Sequence, residues 1–234
     1  MPDVANGIVY YVVFLFSTTL HEAGHAWAAM LGGDLTAYHG GQVSLDPRPH
    51  IKREPFGMVI LPLLTSVLSG WPLGYASAPY NPQWALRYPK RAAWMALAGP
   101  GANLALMLVA ALGLRLGGLA GVFEAPPSVS FGHLAAADAG GLAEGVAFVL
   151  SVLFSLNLVL LCLNLIPLPP LDGSAAVPLF LAAGSAARYQ EFLLTSGRSF
   201  AFIGMLAAWK LFDVLFRPIF LLAVNLLYPG AHYG

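Results

Sequence analysis

The chain has 234 residues, of which 58% are hydrophobic and only 9% charged, with a mean hydropathy of +0.73. That apolar content exceeds what soluble domains carry and identifies a polytopic membrane protein. Eleven basic and eleven acidic residues give zero net charge, which argues against nucleic acid or an anionic surface as a partner, and the single cysteine, Cys162, excludes an intrachain disulfide.

The first apolar segment, about 7–31, is long enough to cross a bilayer as a helix and lacks the basic start and short apolar core of a cleavable signal. Within it lies His21-Glu22-Ala23-Gly24-His25, an HExxH pattern. On a helix, residues four apart share a face, so His21 and His25 can offer ring nitrogens to one tetrahedral Zn²⁺. Glu22 can then reach a water in the ion's open position and act as its base. The alternative, a buried polar cluster without metal, leaves three ionisable groups in an apolar helix without a use for their cost.

A polar, Gly/Pro-rich stretch follows, from Gly32 to Glu54, in which Gly40-Gly41 and the alternation Gln42-Val43-Ser44-Leu45 predict a short strand or small β-hairpin. His39 and His50 lie in this stretch; either can approach a metal or a substrate, though loop histidines are more often simply hydrated or hydrogen-bonded. A short apolar segment, Pro55 to Trp71, contains Gly57, Pro62 and Gly70. Arg48, Lys52 and Arg53 precede it, and Arg87, Lys90 and Arg91 follow it. Since cytoplasmic loops collect Lys and Arg, a re-entrant segment keeps both clusters, with Arg188 and Arg198, on the cytoplasmic side. The N-terminus and the Lys/Arg-free loop 121–141 then face out, and His25 lies toward the cytoplasmic end of its helix.

Further spans are expected at about 93–119, 144–166 and 199–227. Asn103 in the second reads as a polar contact between helices more readily than as a catalytic group. Gly117-Gly118 and Gly140-Gly141 read as helix ends or turns, and His133 and His232 have no partner spacing. Arg115, Lys210, Asp213 and Arg217 lie within or near the apolar helices, the last three spaced to pair along one helix face and Pro218 a kink site; snorkelling or structural pairing is the favoured reading over a functional relay. The third span must end at Asn164-Leu165-Ile166-Pro167-Leu168-Pro169-Pro170-Leu171-Asp172-Gly173, where three prolines forbid helix. A catalytic zinc usually has three protein ligands, and Asp172 is the best candidate for the third; an ordinary Pro-rich turn with a solvated Asp is the competing reading.

Together, HEAGH and NLIPLPPLDG resemble the site-2 protease family of intramembrane zinc metalloproteases, with its HExxH helix and NxxPxPxLDG helix end, and Gly99-Pro100-Gly101-Ala102-Asn103 is similar to that family's GPxxN segment. The resemblance implies one zinc per chain held by His21, His25 and Asp172, with Glu22 as general base and Asn164 holding the substrate or oxyanion. Gly74 to Pro82 resembles a loop of bacterial relatives but is one residue shorter, with Ser77 where a Lys is common.

The expected fold is an all-α polytopic membrane protein: three transmembrane helices around a zinc site, a further C-terminal helix, the short apolar segment and the β-hairpin. One domain fills 1–234, with a core at about 7–173 and a C-terminal helical extension at 174–234, and no PDZ or nucleotide-sensing domain. The expected activity is hydrolysis of peptide bonds within or next to transmembrane segments of partner membrane proteins, in the manner of regulated intramembrane proteolysis. Relatives' substrates include anti-sigma factors, and the resemblance implies a bacterial inner membrane. A helical substrate must unwind to expose its carbonyls, and the 42–45 strand is placed to receive it by edge pairing. The competing class is a non-proteolytic zinc-binding membrane protein, either a transporter or a silent chaperone-like relative. A transporter usually shows repeated halves, a silent relative would be expected to lose its base, and this chain has no visible repeat and retains Glu22.

Overall fold

In the computed structural model, residues 4–69, 71–137 and 141–234 are described; Gly70 and Gly140 lie outside them. Most of the described residues are helical: α1 (Val4–Leu31), α2 (Thr36–His39), α3 (Pro47–Arg53), a π-turn (Phe56–Ile60) running into α4 (Leu61–Ser69), α5 (Pro82–Arg87) and α6 (Pro89–Leu119). Then follow α7 (Leu142–Asn164), α8 (Asp172–Ala176), a 3₁₀ turn (Val177–Phe180), α9 (Ala183–Thr195) and α10 (Gly197–Leu227). Among the described residues, three helices are long and apolar enough to cross a membrane, Pro89–Leu119, Leu142–Asn164 and Ser199–Leu227. Helix α1, with 28 residues, is comparable to them in length.

Helix α6 is the centre of the molecule, packed between α1 and α7. Small residues let it approach α1 closely: a Cβ on Gly24 would stand 2.8 Å from the Ala98 carbonyl oxygen, so the two backbones nearly touch beside the HExxH motif. Toward one end of the bundle the packing is apolar. Val13 and Phe14 of α1 meet Val152 and Leu156 of α7, and Leu114, Phe154, Leu158 and Val224 join α6, α7 and α10. Arg115 donates from Nη1 to the carbonyl of Leu227 at 3.0 Å, capping the end of α10.

The residues on either side of α4 meet each other. After α4, Tyr75 N donates to the Gly57 carbonyl, and Arg53 Nε donates 3.0 Å to the carbonyl of Ser77. The Ser77 hydroxyl in turn donates to Glu54. The chain thus returns to the residues from which it left: the Thr65 hydroxyl accepts from Leu73 N at 2.8 Å, and Gly74 and Tyr75 pack against Gly57.

The expected β-hairpin is not formed. Gln42–Leu45 is a run of bends joining α2 to α3, and no strand occurs among the described residues. Gly40 and Gly41, which read as a strand signal, instead close α2: Gly41 N bonds to Tyr38 O and Gln42 N to Ala37 O, with Gly41 at φ +74. After only three intervening residues Asp46 caps α3 ahead of Pro47, so 43–45 have neither length nor partner for a ladder. Reciprocal backbone pairs occur elsewhere, as isolated bridges Glu124 to Ala136 and Ser130 to His133. The pairing expected along α10 is also absent: Lys210, Asp213 and Arg217 are exposed and no ion pair joins them.

Candidate metal centre

Helix α1 carries His21 and His25 one turn apart, both buried, with their Nε2 atoms 3.0 Å from each other. The third group arrives from far along the chain. Helix α7 stops at Asn164 where the prolines begin, and residues 165–171 coil through short turns, Leu168 N to Ile166 O and Leu171 N to Leu168 O. Gly173 then packs against the Leu165 carbonyl where a Cβ would collide, which folds Asp172, at the start of α8, back onto α1. Asp172 Oδ2 lies 3.1 Å from His21 Nε2 and 3.3 Å from His25 Nε2.

These three separations are those of a tetrahedral ion's ligands, since bonds of about 2.0 Å from zinc to nitrogen or oxygen set ligand atoms about 3.3 Å apart. The protonation pattern agrees. His25 Nδ1 stands 2.8 Å from the Met95 carbonyl, which can only accept, so Nδ1 carries the proton and Nε2 presents its lone pair to the site. His21 Nδ1 faces Asn103 Oδ1 at 2.6 Å. With the ring protons on Nδ1, two Nε2 lone pairs and a carboxylate oxygen converge on one point, and Asp172 Oδ2 has no hydrogen-bond partner. Room for an ion is kept by Gly99 of α6: a Cβ there would run into Nε2 of both histidines. Glu22 is buried at 4% exposure, with Oε2 lacking any hydrogen-bond partner, and its carboxylate lies within 4.8 Å of the histidine ligand atoms. The residues therefore fit a zinc ion with a water beside a free carboxylate.

Residues 9–204 match the model of peptidase family M50. The chain belongs to that family. It is a zinc metallopeptidase of the site-2 protease type, as its relatives' names agree. It is 28% identical over 231 residues to a Bacillus subtilis protein named "Putative zinc metalloprotease YwhC", covering 89% of this chain and 92% of that one. It is 36% identical over 178 residues to "Putative zinc metalloprotease Rip2" of Mycobacterium tuberculosis, covering 75% of this chain, and 31% identical over 164 residues to a Mycolicibacterium smegmatis protein of the same name. The chain spans 59% and 54% of those two longer relatives. No solved structure matches it significantly.

Four of the five residues expected at the peptidase's site, His21, Glu22, His25 and Asp172, are thus brought together. Asn164 is the last residue of α7, half-buried, and its side chain makes no hydrogen bond among the described residues. His39 is exposed against the Tyr38 ring, and His50 is buried with Nε2 directed at the Ser44 carbonyl; neither belongs to the cluster. Asn103 does join helices, but through a metal-site histidine, a role its sequence setting did not show. Gly99 and the Met95 carbonyl went unread as well: nothing in a single sequence says which glycine faces an imidazole.

Proposed function

We propose that this peptidase is an intramembrane endopeptidase cutting peptide bonds within or next to transmembrane segments of partner membrane proteins, with His21, His25 and Asp172 as its zinc ligands. The observation that carries this reading is the convergence of two Nε2 atoms and one carboxylate oxygen beside an unpartnered Glu22, on helices of membrane-crossing length. Zinc held there supplies Lewis acidity toward a carbonyl oxygen and makes a water acidic enough to be deprotonated near neutral pH. Glu22 accepts the proton of the attacking water at Oε2 and delivers it to the departing amine nitrogen, which keeps both charge changes inside the buried site. Asn164, at the mouth left by the end of α7, donates from its amide to the substrate's carbonyl oxygen.

A substrate helix must open before its carbonyl can be attacked, because its backbone is already hydrogen-bonded. A groove of about 580 Å³ lies beside the motif, between Ala23, Gly24 and Trp27 of α1 and Ala102 and Leu106 of α6, with Val43 to Leu45 at its rim. Its apolar walls suit an unwound transmembrane segment, so the bends at 42–45 serve as a border to the groove. Single-span regulators such as anti-sigma factors are the proposed substrate class. The proposed setting is a bacterial inner membrane, with the 55–77 arm re-entrant and the site toward the cytoplasm. Cysteines placed at Arg53 and Arg87, after Cys162→Ser, are then labelled from the same, cytoplasmic face in intact cells; labelling from opposite faces rejects the re-entrant arm.

Cleavage of candidate single-span proteins by detergent-purified enzyme tests the chemistry. Glu22→Gln keeps shape and zinc but cannot take a proton, and the expected loss is about 10²–10⁴-fold with zinc content unchanged. Turnover by Glu22→Gln within a few-fold of wild type removes Glu22 as the base.

A further inference from the structure

His21 and His25 present the same nitrogen to the site, yet their opposite nitrogens are held by different means. His25 rests on a backbone carbonyl, which has one polarity. His21 rests on the Asn103 side-chain amide, which can present either its oxygen or its NH₂. If the NH₂ faced His21, the ring would accept at Nδ1 and carry its proton on Nε2, aiming an N–H bond at the place of the ion. Some other group must fix the amide.

That group lies in α7. Asn157 donates both hydrogens of Nδ2, one to the Leu153 carbonyl at 2.8 Å and one to the Ser17 hydroxyl at 2.9 Å. Turning this amide over would set its oxygen against the Leu153 oxygen, two acceptors with no proton between them. Its Oδ1 is therefore left to accept from Asn103 Nδ2 at 2.9 Å, which in turn leaves Asn103 Oδ1 for His21. Ser17, Asn103 and Asn157 all have 0% exposure, so bulk water cannot replace a missing member. The polarity of one backbone carbonyl in α7 is thus passed through two amides to the imidazole in α1.

We propose that Asn157 is a positioning residue for zinc ligation: through Asn103 it holds His21 in the tautomer whose Nε2 lone pair faces the metal. The proposal rests on His21 being a zinc ligand. Loss of such supporting hydrogen bonds typically weakens metal binding by about 10–100-fold.

Zinc dissociation constants of the full chain, purified in detergent and measured by competition with a chromophoric chelator, test this without any substrate. Asn157→Leu, of similar volume, frees Asn103 to turn and is expected to weaken zinc binding by about 10–100-fold. Asn157→Ser can still bond back to Leu153 but no longer reaches Asn103, and gives the same weakening if the larger side chain prevents folding. Ser17→Ala leaves the Leu153 bond in command of the amide and keeps zinc within about threefold of wild type. Asn103→Asp in the Asn157→Leu background restores tight binding, because a carboxylate accepts from His21 whichever way it is turned; a purely structural role for Asn157 predicts no such rescue. Folded Asn157→Leu and Asn157→Ser that hold zinc within about threefold of wild type, or a double variant that is not rescued, overturn the relay. The separate reading of His21 as a ligand fails only if His21→Ala itself holds zinc as wild type does.

Discussion

Helices α6 and α10 are the same length, 31 residues, and each carries one internal proline, Pro100 and Pro218. Their polar residues have opposite fates. In α6 the membrane-length window is 39% buried, and Asn103 at its centre is completely enclosed, bonded to α1 and α7 at once. In α10 the corresponding window is 11% buried, and Lys210, Asp213 and Arg217 lie exposed without ion pairs. A polar group in an apolar helix is costly wherever it sits, so its presence alone does not locate a site. What separates the two helices is convergence: groups from α1 and α7 meet at Asn103 and Gly99, and none among the described residues pairs with Asp213.

The largest effect that follows from this contrast belongs to a methyl group. Gly99→Ala puts a Cβ into the space facing both Nε2 atoms, so purified protein should lose its stoichiometric zinc and its peptidase activity together. Gly101, two residues on, has nothing within 4 Å of its would-be Cβ. Gly101→Ala should keep zinc and gain up to about 1 kcal/mol of helix stability. Metal analysis of the two variants side by side decides the matter: full zinc in Gly99→Ala would mean that the ion does not sit where the histidines point.

Much of the architecture was legible in the residues because the bilayer imposes long, uninterrupted apolar runs. The second, third and fourth spans appear within about four residues of their expected limits, and α7 ends where Pro167, Pro169 and Pro170 make helix impossible. His21, Glu22 and His25 were legible for the same reason that makes them useful, a fixed spacing on one helix. Asp172 was different. Its residue type and proline setting suited a ligand or a solvated turn equally, and only the family pattern singled it out; the decisive contact is made by Gly173 folding the chain back on Leu165. The hairpin expected at 42–45 failed because four alternating residues between two glycines and a proline also describe a helix stop followed by a helix start. The amide chain from Asn157 was beyond reach for a further reason: it joins residues 17, 21, 103, 153 and 157, and only tertiary packing brings those helix positions into register.

The smallest expected effect tests the other side of the comparison. Lys210 and Asp213 satisfied the spacing rule for an ion pair, but spacing only permits a contact, and no ion pair joins them among the described residues. Removing either charge takes away no contact with the site. Lys210→Leu and Asp213→Leu should therefore retain zinc, and peptidase activity should change by no more than about twofold, the scale of a surface substitution near 0.5 kcal/mol. Zinc binding and turnover measured beside Gly99→Ala place the two helices on one axis. If Asp213→Leu instead lost activity with its zinc intact, α10 would be touching something the isolated chain does not contain, and a substrate or a second copy seated on that face would be the first place to look.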